Sequence, residues 1–304
     1  MFRMTSAPRG GPPVLARCKA PGTCGELVQG ALDGEDFLVN CPVDLFSHAT
    51  VYPSAAAGLH LRDADSFRKV ADAIALVSHG CRLELRHEIA VGSEIPRGKG
   101  MASSTADITA AIEALCRSCA VRLPAEAFAR FLTEVEPSDC VHVPGIAHVN
   151  HLTGRLVESL PVPRDLRVLV VDCGGEVDTV AFDRDRARGV YEAHRSEIAG
   201  ALAQLRHGLR SGDGAAVAQA ATRSARLSQR ILPKPQFEEL LAKTRAAGAL
   251  GVNCAHSGTV LGVLYQAGAR LGERLAETVE IAFGSSARIA GDFEIIGGGC
   301  RADH

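Results

Sequence analysis

Apolar and polar positions fall into short blocks along this chain, and the period of each block predicts its element. Val14 to Ala20 is a short apolar strand, closed by the turn residues Pro21 and Gly22. Phe37 to Val43 and Leu45 to Tyr52 read as two more strands. Arg82 to Ile89 (RLELRHEI) alternates with period two, as a half-buried strand does. The period then changes. In DITAAIEALC, Ile108, Ile112 and Leu115 recur at three- and four-residue spacing, which predicts a helix over 103–116. A second helix runs from about Pro124 to Val135 and is ended by Pro137. Residues 141–160 read as two strands around a Thr153–Gly154 turn.

The stretch PVPRD at 161–165 shifts the composition and reads as a linker. Beyond it, LRVLVVDCGG is a buried strand. Helical stretches follow near 184–209, 213–230 and 236–247. The pattern then alternates: GVNCAHSG, TVLGVLY, a helix around 268–279, and short strands near 280–284 and 293–297. Strands come in local groups rather than in strict βαβ alternation. The expected fold class is therefore α+β, with two halves, 14–160 and 165–304, meeting at a cleft.

Composition narrows the function. A chain of 304 residues that is 46% hydrophobic can bury one large or two medium cores. A net charge of −2 leaves no basic footprint for nucleic acid or an anionic membrane. No apolar run approaches the length of a membrane span, and the opening MFRMTSAPRGGPP lacks a signal peptide's apolar stretch and reads as a loose tail. Ten scattered cysteines, mostly beside apolar residues, read as buried thiols in a reducing cytoplasm. Cys116 and Cys119 form a CxxC with no second half, so zinc is not expected. Without tryptophan and with few aromatics, a base-stacking platform is not expected either.

Candidate chemistry concentrates in IPRGKGMASSTA (95–106), where Gly98, Gly100 and Ala102 precede Ser103, Ser104 and Thr105 at the mouth of a helix. Glycines let a backbone approach a ligand, and the first amides of a helix point outward with the positive dipole end behind them; together they suit phosphate. A P-loop is excluded because Lys99 is followed by Gly100, and a dinucleotide turn because Ser103 stands at its third glycine. An ordinary capped helix after a glycine turn is the plain alternative. Residues 21–30 (PGTCGELVQG) hold either a β-turn or a backbone kept close to a ligand. Glu134, Glu136 and Asp139 lie at a helix C-terminus, where carboxylates oppose the macrodipole; a metal site, a general base or a solvated helix end would each account for them. Residues 255–259 (AHSGT) form a tight turn suited to close approach. His256 and Ser257 do not make a hydrolase pair, because neighbours on a strand face opposite ways. Gly297 to Gly299 are either a phosphate-side loop or a flexible turn.

These segments resemble the three motifs of the GHMP kinases: APGTCGELVQG the first, IPRGKGMASSTAD the second, and NCAHSGTVLGVL the third. KAPGTCGELVQG with NCPVDLFSHATV, EPSD, SARLSQRILPKP and AHSGTVLG is similar to the branch of L-threonine kinases of cobalamin biosynthesis. The likeness spans about residues 14–300. It departs from the branch at Ser228, where Asn is more usual, and at Cys140, where Gly is commoner. The resemblance implies an N-terminal domain like ribosomal protein S5 domain 2, an α+β C-terminal domain, and a kinase using ATP and Mg²⁺. ATP would lie on Pro96, Gly98, Lys99, Gly100, Met101, Ala102, Ser103, Ser104 and Thr105. Ser104 (or Ser103) and Glu136 would hold the metal, and Asp139 would act as the base. Glu26, Gln29, Asp44, Ser257 and Gly258 would bind the acceptor, with Glu26 or Asp44 meeting its ammonium group. The implied partner is a small molecule, L-threonine, with neither nucleic acid nor a membrane involved.

Overall fold

The computed structural model describes residues 13–174 and 183–303. Most of the opening stretch read as a loose tail lies outside them. The first apolar run and the motif after it form one strand, β1 (Ala16–Leu32), which folds back onto β2 (Glu35–Pro53). The turn between them is Asp33–Gly34, both left-handed (φ +54° and +80°), the two-residue hairpin turn whose twist matches its strands.

Pro21 and Gly22 therefore do not end a strand, and residues 37–52 are one strand rather than two. β1 passes through its motif by shifting register against β2 three times between Pro21 and Val28. Each shift frees main-chain groups that must find partners elsewhere. Thr23 N–H donates to Met101 O (3.0 Å), and Gln29 N–H to the Ser224 hydroxyl (3.1 Å). The buried Asn253 amide donates to the carbonyls of Cys24 (2.6 Å) and Glu26 (3.3 Å).

Next come β3 (Gly58–Leu61) and α1 (Arg68–Gly80), neither anticipated above, although Val70, Ala73, Ile74 and Val77 carry a helical spacing and are buried. The expected strand at 82–89 is β4 (Arg86–Ser93); residues 81–82 turn, with Arg82 left-handed, before it begins. α2 (Ser103–Ser118) and α3 (Ala125–Val135) match the expected helices, and β5 (Ile146–Asn150) and β6 (Arg155–Leu160) the expected hairpin. After 161–165 comes β7 (Leu166–Asp172). The single helix expected over 184–209 is two, α4 (Arg184–Ala193) and α5 (Arg195–Ser211), because His194 leaves helical geometry. α6 (Gly214–Ser228), α7 (Phe237–Ala246), β8 (Gly251–Cys254) and β9 (Val260–Gln266) follow. α8 (Leu271–Phe283) takes up most of the strand expected at 280–284. The last expected strand lies earlier, as β10 (Arg288–Glu294), before the two-residue β11 (Arg301–Ala302).

All eleven described strands join one sheet, with the path β10-β7-β9-β8-β1-β2-β4-β3; β11 pairs with β1, and the β5–β6 hairpin with β2. The two halves thus share a sheet instead of merely facing each other. The ladder between β1 and β8 is a single pair, Glu26 opposite Cys254, and β11 adds Cys18 opposite Ala302 and Lys19 opposite Arg301. The C-terminal half buries both sheet faces, which is why its strands read as unbroken apolar runs. Val168 and Val170 enter the main core with α5 and α6, whereas Leu169 and Val171 enter a second core with α7 and α8. No described helix is long and apolar enough to cross a membrane.

Asn253 satisfies two carbonyls of the bulged β1 at zero exposure. Asn253→Ala should lower unfolding free energy by about 2–3 kcal/mol, measured by urea denaturation. A loss below about 0.5 kcal/mol would show that the bulges hold without it.

Candidate active site

The glycine turn before α2 is left-handed at three alternate positions, Gly98 (φ +71°), Gly100 (φ +79°) and Ala102 (φ +57°). Ala102 is the residue before the helix, and no side chain caps it. The first amides of α2 are thus left to a ligand or solvent, beside the half-buried Ser103 and Ser104 and the buried Thr105. The other two motifs lock this turn through the main chain. Thr23 N–H reaches Met101 O, while Thr259 and Val260 N–H both reach Lys99 O (3.1 and 3.3 Å). No side chain fits between them. A Cβ on Gly100 would stand 2.5 Å from Ala255 Cβ, and one on Gly258 would stand 2.3 Å from Lys99 O.

Lys99 Nζ lies 3.0 Å from Asp172 Oδ2 at the end of β7. Asp172 Oδ1 also accepts from Thr259 Oγ1 (2.9 Å) and Gly174 N–H (3.0 Å). Burial opposes the Asp172 charge, but these hydrogen bonds, that of Lys99 foremost, hold its carboxyl below the usual range. Sequence reasoning missed Asp172; its signal was a carboxylate closing an otherwise apolar strand.

Glu26 is buried. Its Oε2 accepts from the His256 main-chain N–H (3.0 Å) and lies 2.7 Å from His256 Nδ1. His256 Nε2 is 3.4 Å from Ser224 Oγ on α6. The first and third motifs are thus joined by the buried contact between Glu26 and His256. On the other side of Glu26, Asn40 stands opposite it on β2. Asn40 Nδ2 donates to Asp139 O (2.9 Å) and Asn40 Oδ1 accepts from Ala147 N–H (2.9 Å), which fixes the loop after α3. Cys140 in that loop is left-handed (φ +50°), a backbone that favours the glycine commoner in the resembled branch.

Burial, with the charges of Glu26 and Glu136 behind it, pushes the Asp139 carboxyl up to about 8. Glu136 pairs through Oε2 with Lys69, a partner the sequence reading did not anticipate. Its Oε1 is buried and accepts no hydrogen bond. A carboxylate oxygen held in place and left open suits a cation, so this residue fits a metal ligand. Glu134 is instead exposed and pairs with Arg130, a solvated helix end.

Among the other expected positions, Gln29 is half-buried on β1, Ser257 is half-buried and Gly258 buried in the third motif. Asp44 is exposed, and its Oδ1 accepts the Glu294 N–H (2.7 Å), tying β2 to β10. Gly297 to Gly299 form neither a phosphate loop nor a flexible turn. Gly298 and Gly299 N–H donate to Gly145 O and Val141 O, and a Cβ on Gly298 would lie 2.3 Å from Val143 O. This segment is a tight crossing over the loop that follows Asp139.

Known proteins resemble this chain in sequence and in fold. The family model of the GHMP kinases N terminal domain matches residues 66–147, and that of the GHMP kinases C terminal domain matches 205–281. An L-threonine kinase of Citrobacter freundii is 31% identical over 254 residues, covering 82% of this chain and 86% of that protein. Among solved structures, homoserine kinase from Cytophaga hutchinsonii superposes with a TM-score of 0.75 at 17% identity, over 95% of this chain and 97% of that one. A structure described as MDDEF in complex with MVAPP, AMPPCP and magnesium has a TM-score of 0.67 at 17% identity, over 95% and 99%. The two-domain α+β fold, the three interlocked motifs and an extended likeness above 30% identity agree, and the chain belongs to the GHMP kinases.

Proposed function

We propose that this kinase transfers the γ-phosphoryl group of ATP to the side-chain hydroxyl of free L-threonine, giving O-phospho-L-threonine and ADP. The observation that carries the reading is the main-chain lock of three motifs around the uncapped start of α2, and the raised carboxyl of Asp139, whose main chain is held by Asn40, supports it. The likeness to an L-threonine kinase over most of both chains supports the choice of acceptor. In cobalamin assembly, decarboxylation of that product would yield aminopropanol phosphate.

Phosphoryl transfer through a loose transition state needs positioning and charge stabilisation more than covalent chemistry. The amides of Ser103, Ser104 and Thr105 hold the polyphosphate, and Lys99, inside the turn, adds a cation beside it. Ser104 and Glu136 would hold Mg²⁺, which would offset the phosphate charge. Asp139 takes the hydroxyl proton. Its raised pKa makes it a stronger base than an ordinary carboxylate, although it is mostly protonated at pH 7 in the free protein. Glu26 presents Oε1 to the acceptor ammonium, with Gln29, Ser257 and Gly258 around it; Asp44, fastened to Glu294, is the weaker candidate for that anchor.

Two measurements check this. The sign follows from Asp139: the base form grows as pH rises, so kcat/KM for threonine should climb through neutrality with a midpoint near its pKa of about 8 and level off roughly one pH unit above it. Asp139→Asn should abolish that limb and lower kcat roughly 100-fold; a wild-type kcat would remove Asp139 from the mechanism. An ADP-release assay over threonine, serine, homoserine and mevalonate should give the highest kcat/KM with threonine. Preference for homoserine or mevalonate would replace the acceptor while leaving the kinase.

A further inference from the structure

Lys99 stands between Gly98 and Gly100, so neither chain neighbour offers it a side chain to pack against. A lysine in that setting swings on a flexible four-carbon stem, and holding it in one place costs rotamer entropy. Here both ends of the residue are fastened. Its carbonyl accepts the Thr259 and Val260 N–H groups, and its Nζ lies 3.0 Å from Asp172 Oδ2. The two side chains are mostly buried, at 21% and 13% exposure.

The fastening closes into a ring. Thr259, whose N–H holds the Lys99 carbonyl, also donates through Oγ1 to Asp172 Oδ1 (2.9 Å). Gly174 N–H donates to the same oxygen (3.0 Å). The sheet sets the rest. Asp172 is opposite Val260 in the β7–β9 ladder, and Cys173 N–H donates to Thr259 O (3.3 Å). One oxygen of Asp172 is therefore held by two donors while the other faces the ammonium. Every bond of the ring runs between the turn before α2 and the paired ends of β7 and β9, so the ammonium is placed relative to the start of α2 as well.

A carboxylate beside a phosphate site has two opposing effects. Its charge repels the polyphosphate, and that penalty falls alike on bound ATP and on the transition state. Its hold on Lys99 keeps a cation aimed, and an ammonium carries three N–H groups, so it can meet a carboxylate and a phosphate oxygen together. Aim counts most where charge moves during the reaction, on the group being transferred. Repulsion therefore shows in the KM for ATP, whereas positioning shows in kcat.

From this closed ring we infer that Asp172, itself oriented by Thr259, is a positioning residue for phosphoryl transfer: it holds the Lys99 ammonium where the γ-phosphoryl group leaves ATP. The inference rests on the reading of Lys99 as a phosphate contact, and its test separates the two.

The test measures kcat and the KM for ATP of the purified full chain and of its Asp172→Asn, Lys99→Met and doubly substituted variants, with whichever acceptor the wild type turns over fastest. Lys99→Met should lower kcat roughly 100-fold. Asp172→Asn should lower kcat roughly 10-fold, with the KM for ATP unchanged or lower and the KM for the acceptor within about two-fold. The double variant should lose no more kcat than Lys99→Met alone, because the carboxylate has nothing to aim once the ammonium is gone. Should Asp172→Asn fail to fold, Thr259→Val should lower kcat a few-fold and Thr259→Ser should keep it. Additive losses would make Asp172 structural, and a lower KM for ATP at wild-type kcat would make it a plain counter-charge. A loss confined to the acceptor KM would make it an acceptor ligand. Each of these overturns the proposal and leaves the Lys99 contact standing. Wild-type ATP kinetics in Lys99→Met would instead sink the phosphate reading of Lys99, and the proposal with it.

Discussion

The contact between Gly100 and Gly258 is the constraint on which the rest of this architecture depends. Two backbones from opposite halves of the chain meet with no room for a Cβ on either, and the Lys99 carbonyl between them accepts two N–H groups. That closeness holds the turn before α2 in its left-handed coil and fixes where the helix begins. α2 is buried over most of its length by Ala, Ile and Leu, so it cannot shift once seated. Its uncapped amides therefore emerge at one defined point beside the third motif.

Four carboxylates gather around that point, and each is treated differently. Asp172 is held by Lys99, Thr259 and a main-chain amide, which keeps it charged. Glu26 is held by His256 under the turn. Glu136 has Lys69 on one oxygen and nothing on the other. Asp139 has no cationic partner among the described residues, and its pKa rises accordingly. An assembly of this kind is electrostatically incomplete by itself, and cations brought with a nucleotide would relieve it.

The bulges of β1 link fold to site. A straight strand would have paired every main-chain group with β2 and turned Glu26, Gln29 and the 21–25 backbone into ordinary ladder positions. Three register shifts instead send those groups to Met101, Ser224 and Asn253, which belong to α2's turn, α6 and β8. The same residues that carry the motif thereby sew the two halves into one sheet.

Local rules sufficed for much of this protein. The helical period announced α2 and α3, unbroken apolar runs announced β7 and β9, and glycine-plus-hydroxyl spacing announced the phosphate turn, because each depends on neighbours within a few residues. The α1 helix was equally legible from Val70, Ala73, Ile74 and Val77. What no local pattern could contain was decided by partners far along the chain. Pro21 and Gly22 sit inside a strand because Met101 and Asn253 satisfy their neighbourhood. Asp172 and Lys69 join the site through contacts 73 and 67 positions away, at Lys99 and Glu136. The pKa of Asp139 arises from burial and from the placing of charges, and it comes into being only when distant strands and helices close around it.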